Sequence, residues 1–218
     1  MTYAELTALM QDYLENQETS FVNNIPAIVR TAESAIYKAV RTPDQRQTAA
    51  GTVSTGTFTS PAAFEEALGL FLNNGPGLLL KAPSYIRTVY GGLTGEPKVY
   101  AILTSTADSP NATSPSTILL GPTPNTTYNY VLDYLAQATS ITVAASPSRS
   151  TWLSINYPDV LLYRCLIEGY VYNKGAADMM AEYKALFQDA LQKLKDSAEG
   201  TLLQDEYSSR PVGREVTN

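Results

Sequence analysis

The chain of 218 residues contains no histidine. That absence removes the Ser-His-Asp triad, the common imidazole zinc sites and the side chain that changes charge near neutral pH. Its single cysteine, Cys165, excludes an internal disulfide. Cys165 lies in an apolar helical run, where a free thiol reads as a small core hydrophobe, and as a nucleophile it would lack the usual imidazole base. No apolar run approaches the ~18 to 20 residues of a membrane span, and the opening MTYAELTALMQDYLENQ has acids but no cationic leader, so no membrane partner is expected and synthesis in the cytoplasm is. Positive charge is scarce too. Fifteen Lys and Arg against twenty-one Asp and Glu leave a net charge of −6, and the cations are scattered, so a grip on nucleic-acid backbone is not expected.

What is present reads as globular, with 44% hydrophobic and 17% charged residues, too apolar for disorder. Thr2-Tyr3-Ala4-Glu5 has capping-box spacing, and Leu6, Leu9, Met10, Tyr13 and Leu14 follow at helical intervals, predicting a first helix to about Glu15. NNIPAIVRTAESAIYKAVR predicts a second, with Asn24 as cap, Pro26 in the first turn, and Ile25, Ile28, Val29, Ala32, Ile36 and Val40 on one stripe. From Thr48 to about Ser150 helical periodicity gives way to short β-rich runs separated by turn signals. Candidate strands are 52–57, 67–72, 77–81, 98–104, 117–120 and 128–135. NNGPG at 73–77 reads as the hairpin turn between the second and third. Tyr128, Tyr130, Leu132 and Tyr134 alternate with Asn129, Val131, Asp133 and Leu135 as in a half-buried strand. Residues 104–117 and 138–150 read as long polar loops.

Helical order returns at YPDVLLYRCLIEGYVYNKG, with Asn156 as cap, Pro158 in the first turn and Gly175 as stop. A fourth helix is expected over 176–198, with Met179, Tyr183, Leu186, Phe187, Ala190, Leu191 and Leu194 on one face. The fold class expected is therefore α+β: a four-helix bundle of two N-terminal and two C-terminal helices, a large inserted antiparallel β domain and an extended C-terminal tail. The expected division is 1–47 and 151–200 for the helical domain, 48–150 for the β domain and 201–218 for the tail, which is poor in apolar residues.

Chemistry is sparsely represented. Glu65-Glu66 and Asp205-Glu206 are paired carboxylates of the kind found on solvated surfaces. GGLTGEP at 91–97 lacks the Lys-Ser/Thr ending of a phosphate loop and reads as a turn. Asn111-Ala112-Thr113 and Asn125-Thr126-Thr127 match the glycosylation sequon, which matters only in a secreted protein. No catalytic set, metal site or cofactor follows. The fifteen tyrosines are an excess that suits contacts between chains as well as core packing.

Several stretches, in order, resemble one family: MTYAELTALMQDYLEN, FVNNIPAIVRTAESAIYKAVR, PSYIRTVY, TILLGPTPNTTYNYVLDYLAQ and YPDVLLYRCLIEGYVYNKGAADMMAEYKALFQDALQKLK. Together they are similar to the head-to-tail adaptor proteins of short-tailed, T7-like phages, also called tail tubular protein A or gatekeeper, from Thr2 to about Lys195. The resemblance implies a structural, non-enzymatic virion protein at the head-tail junction. It also implies a ring of twelve copies docked beneath the portal, handing the DNA channel on to a nozzle protein, with a tail fibre as a further neighbour. Double-stranded DNA would pass through without sequence-specific binding, and the acidic net charge agrees with that. On this reading Tyr207, Arg210, Pro211, Val212 and Arg214 run along a neighbouring portal or adaptor subunit, and Arg164, Glu168 and Tyr172 are candidates for the subunit interface. A competing reading is a carbohydrate-binding or cell-wall-degrading tail component.

Overall fold

The computed structural model describes residues 1–103, 116–143, 146–175 and 177–208, the last ten of these by backbone alone. Along the chain the elements are α1 (Tyr3–Tyr13), α2 (Thr19–Ala39), β1 (Arg46–Val53), β2 (Thr57–Thr59), β3 (Phe64–Leu72), β4 (Leu79–Leu80), α3 (Pro83–Tyr90), β5 (Thr94–Gly95), β6 (Val99–Leu103), β7 (Thr117–Gly121), β8 (Thr123–Pro124), β9 (Tyr128–Ala136), α4 (Trp152–Asn156), α5 (Pro158–Asn173) and α6 (Ala177–Ser208). The fold is mixed α+β. It divides into two compact units, one of residues 1–43 and 139–218, the other of residues 44–138.

In the helical unit, α5 is covered all round from Val160 to Tyr170, and Val160, Leu161, Leu162, Cys165, Leu166, Ile167 and Gly169 are buried. A helix apolar all round must be wrapped by others, and α1, α2, α4 and α6 all pack on it. The capping box of α1 forms as its spacing predicts, the Thr2 hydroxyl accepting from the Glu5 N–H at 3.3 Å and the Glu5 carboxylate from the Thr2 N–H at 2.8 Å. Leu6 and Met10 then face the core.

Helix α2 starts at Thr19 rather than near Asn24, so Pro26 lies inside the helix. Proline supplies no N–H, which leaves the Val22 carbonyl without its usual partner. Burial of Phe21 and Ile25 in the same core extends the helix over the break. Residues 139–143 and 146–150, expected with the β region, belong to the helical unit because Ile141 is buried in its core and Arg149 and Pro147 accept from the Tyr3 and Ala4 N–H groups. Asn156 ends the short helix α4 instead of capping α5, and Lys174, at φ 53°, takes the left-handed stop expected of Gly175. Helix α6 continues through Gly200 to Ser208, so the expected extended tail is helical in its first part. The rest of that tail, and most of the expected loop at 104–117, lie outside the described residues.

The second unit has two main sheets, β1-β9-β3 and β2-β7-β6-β4, and a short β5-β8 pair. The expected 52–57 strand is two strands in different sheets, β1 and β2, separated by a bend at Ser54–Gly56. The period-two reading of 128–135 holds on the inner side: Tyr128, Leu132 and Tyr134 pack with Val53, Leu70, Leu72, Tyr100, Ile118 and Leu120. Leu135, placed on the outer set by that reading, is buried as well.

NNGPG does turn the chain, with Asn73 and Asn74 at φ 46° and 56°, a conformation Asn tolerates. It closes a minimal hairpin, with an antiparallel bridge between Phe71 and Gly77 and the Leu78 N–H donating to the Leu70 carbonyl at 2.8 Å, before β4 leaves for the other sheet and pairs with β6 in parallel. A parallel neighbour needs a crossover connection, and α3, absent from the sequence expectations, provides it. Ile86 of α3 packs on Val99 and Ala101, so β6 is covered on both faces and reads as an unbroken apolar run.

Gly121 on β7 lets α3 sit this close. A Cβ there would lie 2.8 Å from Ile86 Cγ2, 3.0 Å from Tyr90 Cδ2 and 3.1 Å from Val99 Cγ2. Gly121→Ala is expected to destabilise this unit by about 1–3 kcal/mol through overpacking, read as a lower midpoint in chemical denaturation. An unchanged midpoint would show that α3 rides loosely on the sheet.

Candidate functional site

The interface candidates on α5 start from helical spacing. Arg164 and Glu168 are four residues apart and so share a face. The Arg164 Nη2 donates to Glu168 Oε1 at 2.5 Å, and both side chains are about three-quarters covered, at 25% and 22% exposure. The guanidinium also lies 5.7 Å from the centroid of the Phe187 ring of α6. The pair thus ties α5 to α6 within one chain. Tyr172 lies at the outer end of the same helix. Its ring packs against Phe21 at 5.9 Å, its hydroxyl accepts from Asn24 Nδ2 at 3.2 Å, and 43% of it remains exposed. Val171 beside it is exposed as well. Of the tail candidates, Tyr207 falls on the backbone of α6, and Arg210, Pro211, Val212 and Arg214 lie outside the described residues.

The buried polar groups of the helical unit serve structure. Cys165 is fully buried, and burial, with Glu33 and Glu168 nearby, pushes its thiol well above the ordinary range. Such a thiol stays protonated and unreactive. Glu33, on the buried stripe of α2, accepts the Ile141 N–H at 2.9 Å and so holds the returning chain to the helices. Burial pushes its carboxyl up. Ser140, the Ile141 N–H and the fields of Arg149 and Arg30 oppose that shift without cancelling it. Sequence gave no sign of Glu33 beyond its place between Val29 and Ile36 on the core stripe. Trp152, the one tryptophan, packs on Tyr157 at 5.5 Å and is half-buried, so it is no open platform for a sugar ring.

The sheet unit presents its own surface. Leu79 and Leu80 on the edge strand β4, Tyr85 and Val89 one turn apart on α3, and Leu93 just beyond are all exposed. Lys81 stands over the Tyr85 ring at 5.8 Å. The other large apolar side chains of this unit are mostly drawn inward, so this run is the part of the unit that resembles a contact surface. The signal for it was readable: PSYIRTVY has proline in its first turn and Ile86, Val89 and Tyr90 at helical spacing.

Among the described residues no group of acids, cysteine and histidine could hold a metal ion, and no helix is long and apolar enough to cross a membrane. What both units offer outward is area, apolar on one and mixed on the other, and area serves recognition between macromolecules. In comparisons with known proteins, the family model described as SU10 adaptor protein matches residues 1–214. No curated protein matches the chain.

Glu33 generates a prediction in two parts. Glu33→Ala leaves the buried Ile141 N–H without its acceptor and is expected to cost about 1–3 kcal/mol, measured by urea denaturation below pH 4.5, where the carboxyl is protonated. The carboxyl titrates above its ordinary value of 4.5 in the folded protein, so the folded state holds its proton more tightly. The group's contribution is therefore fully present below pH 4.5 and is lost as pH rises through the raised folded value. Glu33→Gln should flatten that part of the stability profile; an identical slope in the variant would show that other groups set it.

Proposed function

The chain belongs to the SU10 adaptor protein family, and from that premise, which makes it a structural adaptor of a phage virion in contact with other virion components, we propose its finer role. It is a head-to-tail adaptor of a short-tailed phage: twelve copies form a ring between the portal and the tail nozzle and continue the DNA channel. The observation that carries this reading is the family match over residues 1–214, which spans both units and so takes in the helical and the sheet surfaces together.

Physical features support it. A ring subunit needs two different patches that meet head to tail, and the helical unit has distinct exposed faces on α2 and α6. The β4–α3 surface of the other unit suits a different partner, the portal or the nozzle. A net charge of −6 suits a wall that DNA slides past without sticking. Tyr207, Arg210, Pro211, Val212 and Arg214 are proposed to lie along a portal or neighbouring adaptor subunit, where a tethered segment repeated around a ring gains avidity.

The test is to mix the purified chain with portal rings of the same phage and weigh the complex by native mass spectrometry. The expected product is a portal ring carrying a full complement of twelve copies. A mixture in which the two proteins sediment separately at every ratio overturns the adaptor role. Deleting residues 208–218 is expected to weaken loading onto the portal at least tenfold, and loading equal to that of the full chain would remove the segment from the interface.

A further inference from the structure

The outward faces of α2 and α6 differ in charge. On α2 the core stripe of Phe21, Ile25, Ile28, Val29, Ala32 and Ile36 leaves Asn23, Ala27, Arg30, Thr31, Ser34 and Lys38 on the opposite side, all exposed. A shallow open groove runs along this side, lined by Ala27, Arg30, Thr31, Ser34, Ala35 and Lys38. Its side chains between the two cations are small, and it carries no acid, because Glu33 is turned into the core. On α6 the core stripe of Tyr183, Ala190, Leu194 and Ala198 leaves Asp178, Glu182, Ala185, Asp189 and Asp196 along the outside, again exposed. Lys193 pairs with Asp189 at 2.6 Å. By helical periodicity Lys184 and Lys195 fall on a different flank, so the outward side of α6 remains acidic.

We propose that the α2 face of one copy seats against the α6 face of the next, so that the occupant of the α2 groove is a second copy of this chain. The spacings agree. Arg30 and Lys38 are eight residues apart, about 12 Å along the axis, and Glu182 to Asp189 or Asp189 to Asp196 is seven, about 10.5 Å. Small residues between the cations let a second helix approach closely. Both helices use their core stripes on α5, so one chain cannot bring the two outward faces together, and a contact between them is heterologous and propagates from copy to copy. Exposed ion pairs are individually weak. They set register and exclude wrong pairings, while Met179 and Leu186, half-exposed at the flank of the acidic face, add apolar area. Association is therefore weak per contact, sensitive to salt, and strengthened when the ring closes.

This inference rests on the adaptor reading, and the experiment separates the two. One variant carries Arg30→Glu and Lys38→Glu, a second carries Glu182→Lys and Asp189→Lys; all four positions are exposed, and circular dichroism checks that both fold. Assembly is followed by native mass spectrometry on portal rings. Each variant alone is expected to lose copy-to-copy association at least tenfold, since each opposes like charges. Their equimolar mixture is expected to assemble, because every contact in an alternating ring again joins opposite charges. Wild-type rings that are matched by either variant alone overturn the proposal while leaving the adaptor role intact. Loss in both variants without recovery on mixing overturns it too and assigns one face to a different acidic or basic partner. A wild type that forms no multimer with portal rings overturns both readings.

Discussion

Between Val160 and Tyr170 no side of helix α5 is exposed. Five of its large aliphatic residues, Val160, Leu161, Leu162, Leu166 and Ile167, are buried, and at about 1.5–3 kcal/mol each their removal from water is worth on the order of 10 kcal/mol before entropy is charged against it. Everything else in the helical unit follows from covering that helix. α1 closes one side, with Leu14 lying against Gly169 so closely that a Cβ would meet it at 2.5 Å. α2 and α6 close two others, and the chain returning from the sheet unit is drawn in through Ile141 and Glu33. The same demand explains why α2 begins early and tolerates a proline in its interior: Phe21 is needed in the core, and one lost backbone hydrogen bond costs less than leaving it out.

Covering α5 has a consequence for the surface. Every helix around it turns one stripe inward and offers the opposite stripe to whatever comes next, so the unit is built of faces rather than clefts. The sheet unit is built likewise in layers, with the two sheets meeting over one core and α3 covering the far side of β6. Residues that could have done chemistry are used up in holding these layers: Glu33 on a backbone N–H, Arg164 on Glu168 and Phe187, Trp152 on Tyr157. A molecule built of such faces is in keeping with membership of a structural adaptor family.

The helices were legible in sequence because their periodicity is local: the Thr2 capping box, the Ile25-to-Ile36 stripe and the Pro158 start are each set by neighbours within a turn or two. Their limits were less legible, since the expected ends at Asn24, Asn156 and Gly175 were overruled by packing elsewhere in the chain. The strands at 67–72, 98–104, 117–120 and 128–135 were legible from β-branched and aromatic residues, but partners were not. Register and the parallel β4–β6 pair depend on α3, whose short amphipathic run was readable in PSYIRTVY but whose place on the sheet was not. Of the candidate contact residues, Tyr172 retains an open face, whereas Arg164 and Glu168 could not be known to find each other and Phe187 first, because that depends on how α6 lies on α5. The outward charge of α2 and α6 was present in the sequence throughout and became meaningful only when the inward stripes were fixed.

The sealed cysteine gives this molecule a use in the laboratory. With one thiol, placed where reagent cannot reach it, the wild type is blank to maleimide chemistry, and a dye attached at any introduced surface cysteine reports from that place alone. The blank is also conditional. Cys165 can be captured only when the helices around α5 part, so its slow labelling rate counts openings of the helical unit, copy by copy, in free protein and in particles alike.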